Sequence, residues 1–176
     1  ERAYFGFRRN FDTDLGGFGP APKFPRPSVH NFLVRHHAAN PTTDALDMVL
    51  ETLQAMAKGG MNDQIGGGFH RYSVDARWFV PHFEKMLYDQ AQLAVSYVEA
   101  FQITRDGQYA LNAREILDYV LRDMTDPAGG FYSAEDADSL ESSEQGADKK
   151  EGAFYLWTLA EIDQNFDKED ADIFKD

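Results

Sequence analysis

The sequence predicts an all-α fold of repeated helical hairpins. Three observations predict it. A Gly-Gly-Phe signature with an acidic residue shortly upstream recurs at 14–18, 63–69 and 126–131, its phenylalanines 51 and then 62 residues apart. Self-similarity near 50 residues marks a repeat architecture. Two helical patterns lie between consecutive signatures, and Gly, Pro and Asp punctuate their ends.

A helix is expected over 28–39, after Pro25 and Pro27 and stopped by Pro41. Thr43 or Asp44 can cap the next one. In it Leu46, Val49, Leu50, Leu53, Met56 and Ala57 follow the i, i+3, i+4, i+7 pattern. Asp47, Glu51, Gln54 and Lys58 take the opposite face, and Gly59-Gly60 ends the helix. In the following repeat Pro81 suits a first helical position, with the helix running to about Thr104. Phe83, Leu87, Ala91, Ala94, Val98 and Phe101 mark its stripe. Arg105-Asp106-Gly107 is a turn, and 109–124 forms the partner helix with Ala113, Ile116, Leu117, Val120 and Met124 on one face. After the third signature, 131–133 and 153–157 read as short strands of one hairpin with a long mobile tip. Thr158 and Glu161 form a capping box opening a further helix.

Two antiparallel helices return the chain to the end it left. Helices of ~16–20 residues span about 25–30 Å each. Every Gly-Gly-Phe loop is therefore expected on one rim, gathered around a common centre if the repeats curve into a toroid.

With 176 residues, 43% of them hydrophobic, the chain can bury a sizeable core. No apolar run of about 18 residues is present, so no membrane span is expected, and no signal peptide is visible. The chain begins at Glu1 rather than Met, which suggests a longer parent. The absence of cysteine excludes disulfides, thiol catalysis and thiolate zinc sites here, and fits a cytoplasmic location. A formal net charge of −13 argues against nucleic acid as a partner.

Two stretches carry groups with chemical potential. Around the second signature, Phe69, Tyr72, Trp78, Phe79, Phe83 and Tyr88 interleave with His70, Arg71, His82, Glu84, Lys85 and Asp89. Aromatic planes for apolar ring faces and charged groups for hydroxyls are what a sugar cleft needs. On a continuous helix Lys85, Asp89, Gln92 and Ser96 share one face. After the third signature, Glu135, Asp136 and Asp138 place three carboxylates within four positions. Paired carboxylates can divide acid and base roles in glycoside hydrolysis, and a solvated acidic turn is the bland alternative. The spacing fits no twelve-residue calcium loop. No metal ligands and no cofactor are assigned.

Four blocks now stand out: 16–25 (GGFGPAPKFP), 66–73 (GGGFHRYS), 81–89 (PHFEKMLYD) and 133–139 (SAEDADS), followed by Phe154-Tyr155-Leu156-Trp157. In this order they resemble the thioredoxin-domain-containing family typified by spermatogenesis-associated protein 20 and its bacterial relatives. The resemblance implies a thioredoxin-like domain followed by an (α/α)6 toroid, similar to N-acylglucosamine and cellobiose 2-epimerases and six-hairpin glycosidases. Residues 1–176 would then be the N-terminal half of the toroid. His70, Arg71, Tyr72, His82, Glu84, Lys85, Tyr88 and Asp89 match the family's central motifs, and Glu135, Asp136 and Asp138 its acidic motif. The segment 140–150 is longer than the linker usual there.

The expectation is part of a site for acid/base chemistry on a saccharide, as in an epimerase or glycosidase. His70 or His82 would be base or acid, with Glu84, Asp136 or Asp138 as carboxylate partner. Arg71, Tyr72, Trp78, Lys85, Tyr88, Asp89 and Glu135 would bind the sugar. The alternatives are a non-enzymatic binding or scaffold module and an inactive fragment. Exposed helix faces of half a toroid would favour self-association.

Overall fold

The structure is a computed structural model that describes residues 1–140 and 148–175. It divides into two compact units, Glu1–Ala137 and Asp138–Asp176.

The first unit holds five helices: α1 (Arg2–Asn10), α2 (Pro27–Ala39), α3 (Ala45–Lys58), α4 (Leu87–Thr104) and α5 (Gly107–Asp123). α2 packs on α3, α4 on α5, and α2 on α4. Leu33, Leu53, Met56, Leu93, Tyr97 and Ile116 are fully buried between them. The Tyr97 hydroxyl donates to the Leu53 carbonyl at 2.8 Å, so the core's largest phenol is satisfied. The expected helices at 28–39, 44–58 and 109–124 form within two residues of those bounds. α1 has no counterpart among the expected helices.

The helix expected from Pro81 starts only at Leu87. Asp75 accepts the backbone N–H groups of Arg77 (2.6 Å), Phe79 (3.3 Å) and Val80 (2.6 Å) and turns the chain. That turn pairs β1 (Tyr72–Ser73) with β2 (Pro81–His82), Tyr72 opposite His82. β3 (Lys85–Met86) then pairs with β4 (Ala134–Glu135), Lys85 opposite Glu135. Non-local pairing overrides the helical pattern over 81–86, and Lys85 does not share a helix face with Asp89. Residues 131–133 form no strand, and the chain pairs one step later, at β4.

The second unit is a hairpin of β5 (Asp138–Leu140) and β6 (Lys149–Glu151), a 3-10 turn at Ala153–Tyr155, α6 (Leu159–Asn165) and α7 (Lys168–Lys175). The expected strand at 153–157 is therefore that turn, held by Phe154 N–H donating to Ser139 Oγ at 2.7 Å. The expected capping box forms, with Glu161 N–H donating to Thr158 Oγ1 and Thr158 N–H to Glu161 Oε2. Of the expected mobile tip over 140–150, Leu140, Lys149 and Lys150 pair in the β5–β6 hairpin, and 141–147 lie outside the described residues.

The signature loops share one construction. The organising acid of the first is Asp12 rather than Asp14. Asp12 Oδ1 accepts the N–H groups of Asp14 and Leu15, as Asp63 Oδ1 accepts those of Ile65 and Gly66. Each loop closes through the acid's N–H donating to the carbonyl of the second glycine of the pair, Gly17, Gly68 or Gly130. In the first two a buried lysine reaches in: Lys23 Nζ contacts Asp12 Oδ2 and the Gly16 carbonyl, both at 2.7 Å, and Lys85 Nζ contacts Asp63 Oδ2 at 2.8 Å and the Gly67 carbonyl at 2.9 Å. Each ammonium also faces an aromatic ring, Trp78 at 5.5 Å and Tyr119 at 4.3 Å. Burial pushes the Asp12 and Asp63 carboxyls up, but the lysines and loop N–H groups outweigh it and hold both below the usual range.

Removing one member of such a pair strands a buried charge. Lys85→Met should therefore lower the unfolding free energy by about 3 kcal/mol, read from urea denaturation. The double variant with Asp63→Asn should recover part of it, and a loss within error for Lys85→Met would show the pair to be dispensable.

His30, on α2, is buried with both ring nitrogens unpartnered among the described residues. Burial lowers its pKa to about 4. The unfolded imidazole titrates near ~6.5, so the unfolded chain gains the proton first. His30 should cost nothing above pH ~6.5 and progressively weaken the fold towards pH 4. His30→Leu should flatten the pH dependence of the denaturation midpoint over that window, and an unchanged slope would assign acid sensitivity elsewhere.

Candidate functional site

The pairing of β1 with β2 builds a small rim cluster. Tyr72 stacks on His82 across the strands, ring centroids 4.8 Å apart, and Phe24 extends the platform with its ring 4.7 Å from Tyr72. Arg71 N–H donates to the Glu84 carbonyl at 2.8 Å, and its guanidinium Nη1 donates to Glu84 Oε2 at 2.6 Å. The same oxygen lies 3.8 Å from His82 Nε2. Arg71, Glu84 and His82 thus form a line of partly exposed polar groups beside an aromatic platform.

Asp89 sits in the first turn of α4 and is buried. Burial, which outweighs the opposing pull of Arg71 and is helped by Glu84, raises its carboxyl to about 6. Its Oδ2 and the Nε of Arg71 are both buried without a hydrogen-bond partner among the described residues. Buried polar groups are usually paired.

The other sequence-assigned residues fall differently. His70 is turned inward, its Nδ1 3.1 Å from the Phe83 carbonyl, and burial together with the charge of Lys85 lowers its pKa to about 4. It is a neutral imidazole near pH 7. Trp78 is buried and donates from Nε1 to the Leu15 carbonyl at 2.9 Å, covering the first loop. Lys85 is buried in the second loop as described. Glu135 accepts from the Tyr119 hydroxyl at 2.6 Å. Tyr88 and Asp136 are exposed. Asp138 opens the second unit. The structure brings together Arg71, Tyr72, His82, Glu84 and Asp89, and turns His70, Trp78 and Lys85 to internal contacts. Phe24 was missed, although it lies in a quoted block, because its proximity to Tyr72 depends on the non-local bridge between Lys23 and Ser73. A cavity of about 440 Å³ lies apart from this cluster, lined by amides including Gln54, Asn62 and Asn112. Among the described residues no group of three or more His, Cys, Asp or Glu is placed to hold a metal ion, and no helix is long and apolar enough to cross a membrane.

With this geometry in hand, comparison places the chain among known proteins. Its helical hairpins carry part of the (α/α)6 toroid fold. It superposes on a sugar epimerase from a ruminal bacterium with a TM-score of 0.68 at 14% identity, covering 76% of this chain and 37% of that one. The cellobiose 2-epimerase of Spirochaeta thermophila gives 0.66 at 19%, covering 74% and 35%. A family 76 glycoside hydrolase (mannosidase) of Bacteroides thetaiotaomicron gives 0.62 at 16%, covering 74% and 36%. In sequence the chain is 50% identical to spermatogenesis-associated protein 20 of Mus musculus over 167 residues, 93% of this chain and 21% of the relative. The same figures hold for the Homo sapiens protein. It is 44% identical to an uncharacterized Caenorhabditis elegans protein over 163 residues. The chain spans about a fifth of the length of the curated relatives it matches. No protein-family model matches it.

The raised Asp89 pKa makes a stability prediction. A folded value near 6 against ~3.9 unfolded means the folded state binds the extra proton between those limits. Stability should therefore fall as pH rises from about 4 to about 6 and stay lowered above. Asp89→Asn should melt higher than the parent at pH 7 and equal it near pH 4. A variant that melts lower at pH 7 would make Asp89 a structural group.

Proposed function

We propose that the rim cluster binds a saccharide and moves a proton on it. The observation that carries this reading is the pair of buried, unpartnered atoms, Asp89 Oδ2 and Arg71 Nε, with Arg71 next in the chain to the Phe24–Tyr72–His82 platform. A sugar offers what these lack: hydroxyls that donate to a carboxylate and accept from a guanidinium, and an apolar ring face for an aromatic plane. The toroid fold shared with sugar epimerases and a mannosidase supports the same ligand class, as an analogy of fold.

Two groups are suited to carry the proton. Asp89, with its pKa near 6, is close to the working pH expected of a general acid or base. His82 lies with its Nε2 3.8 Å from Glu84 Oε2, within reach of a carboxylate partner. His70, neutral and turned inward, serves better as a positioning group for the 83–84 backbone than as a base. Tyr88, whose hydroxyl interacts with the Arg71 side chain, is placed to add a sugar contact. For the parent protein we propose epimerisation next to a carbonyl or hydrolysis of a glycosidic bond. Any redox role lies outside this cysteine-free segment.

The longest native polypeptide carrying this segment should be screened with aldoses and short oligosaccharides for epimerisation, mutarotation and glycosidase turnover. On the substrate so found, Asp89→Asn and His82→Ala should each lower kcat by about 10²–10⁴-fold. If Asp89 is the base, the parent rate should rise through about pH 6. Full turnover by both variants would remove the assigned roles.

A further inference from the structure

The three Gly-Gly-Phe loops are built alike but covered unequally. In the first, a Cβ on Gly16 would lie 3.2 Å from the Glu51 carbonyl oxygen of α3, and one on Gly17 2.5 Å from the Trp78 ring. In the second, a Cβ on Gly67 would lie 3.3 Å from the Glu115 carbonyl oxygen of α5, and one on Gly68 2.5 Å from the Tyr119 ring. α3 and α5 are each the second helix of the hairpin that follows the loop. The rule is the same twice: the first glycine of the pair seats on that helix backbone, the second lies under an aromatic ring, and the phenylalanine is buried, as Phe18 and Phe69 are.

The third loop has the same backbone. Gly129 and Gly130 hold φ of 99° and 90°, and Asp126 N–H donates to the Gly130 carbonyl at 3.1 Å. Here, however, a Cβ on either glycine would meet nothing within 4 Å among the described residues, and Phe131 is 57% exposed. Positive φ alone favours glycine. In the first two loops a second requirement, close approach, acts on the same positions, and in the third that requirement has no visible source.

We propose that the third loop is the seat for the second helix of a further helical hairpin in the same polypeptide. That helix lays its backbone on Gly129 and buries Phe131, and an aromatic ring from it or from the chain beyond it covers Gly130. The proposal commits to this occupant because in both other loops the second helix of the following hairpin seats the first glycine, the ring over the second coming from that helix (Tyr119 on α5) or from the chain beyond it (Trp78), and because the chain covers 35–37% of the toroid structures it superposes on. Leu117 and Leu121, exposed on α5 close in sequence to this loop, extend the apolar surface available to the same helix.

The test compares alanine variants in the 176-residue chain and in the longest native polypeptide that carries it. Gly68→Ala and Gly130→Ala impose similar backbone strain, since φ is 77° and 90°, so any difference reports the steric term. In the 176-residue chain Gly130→Ala should lower Tm by only a few degrees and clearly less than Gly68→Ala. In the longer polypeptide the two drops should be equal. Hydroxyl-radical labelling should modify Phe131 in the short chain and spare it in the long one. A mild Gly130→Ala effect with Phe131 labelled in both would overturn the proposal. So would protection of Phe131 in the short chain that rises with concentration alongside dimer formation, which would make a second copy the occupant.

Discussion

The rim of this fold depends on a buried lysine inside each of the first two signature loops. An ammonium taken out of water is costly unless charge and hydrogen bonds replace its hydration. Lys23 and Lys85 obtain both, from a loop aspartate and a loop carbonyl, with an aromatic ring against the cation. The consequence is mechanical. The same lysines lie in backbone pairs with distant segments, Lys23 with Ser73 and Lys85 with Glu135. Each ion pair therefore fastens one loop to the next repeat. Without it the Gly-rich backbone, whose positive φ values cost most chain entropy to fix, would have little to hold it.

The hairpin repeats were legible because their evidence is local. Apolar spacing and Gly or Pro punctuation set three helices to within two residues, and the recurrence of the signature marked loops that share one construction. What was not legible is what non-local contacts decide. Residues 81–86 carry a helical pattern but pair with 72–73 and 134–135, and Lys85 leaves the helix to enter a loop. Asp12 and Asp14 cannot be told apart by sequence proximity to the glycines. Only the backbone N–H groups that converge on Asp12 distinguish them. At the candidate site the mixture of aromatic and charged residues was readable, yet the division of the two histidines was not. His70 and His82 sit in similar local sequence, and burial against Phe83 separates them.

The line Arg71–Glu84–His82 and the buried Asp89 obey different physics. The first is a partly exposed chain of charges whose worth to stability is modest, because solvent screens it. Asp89 works against the fold. Its carboxyl is pushed up by burial, its Oδ2 has no partner among the described residues, and the nearby Arg71 keeps an equally idle Nε. A core selected for stability alone would fill this position with an apolar residue or turn the two groups towards each other. Asp89 Oδ2 and Arg71 Nε instead remain without partners among the described residues. Strain of this kind persists when the surrounding structure over-determines it. Here α4 holds Asp89, and backbone and side-chain hydrogen bonds to Glu84 hold Arg71. In the proposed reading the hydroxyls of a saccharide complete both groups, and the loops fastened by the buried lysines hold the surrounding chain in place for it.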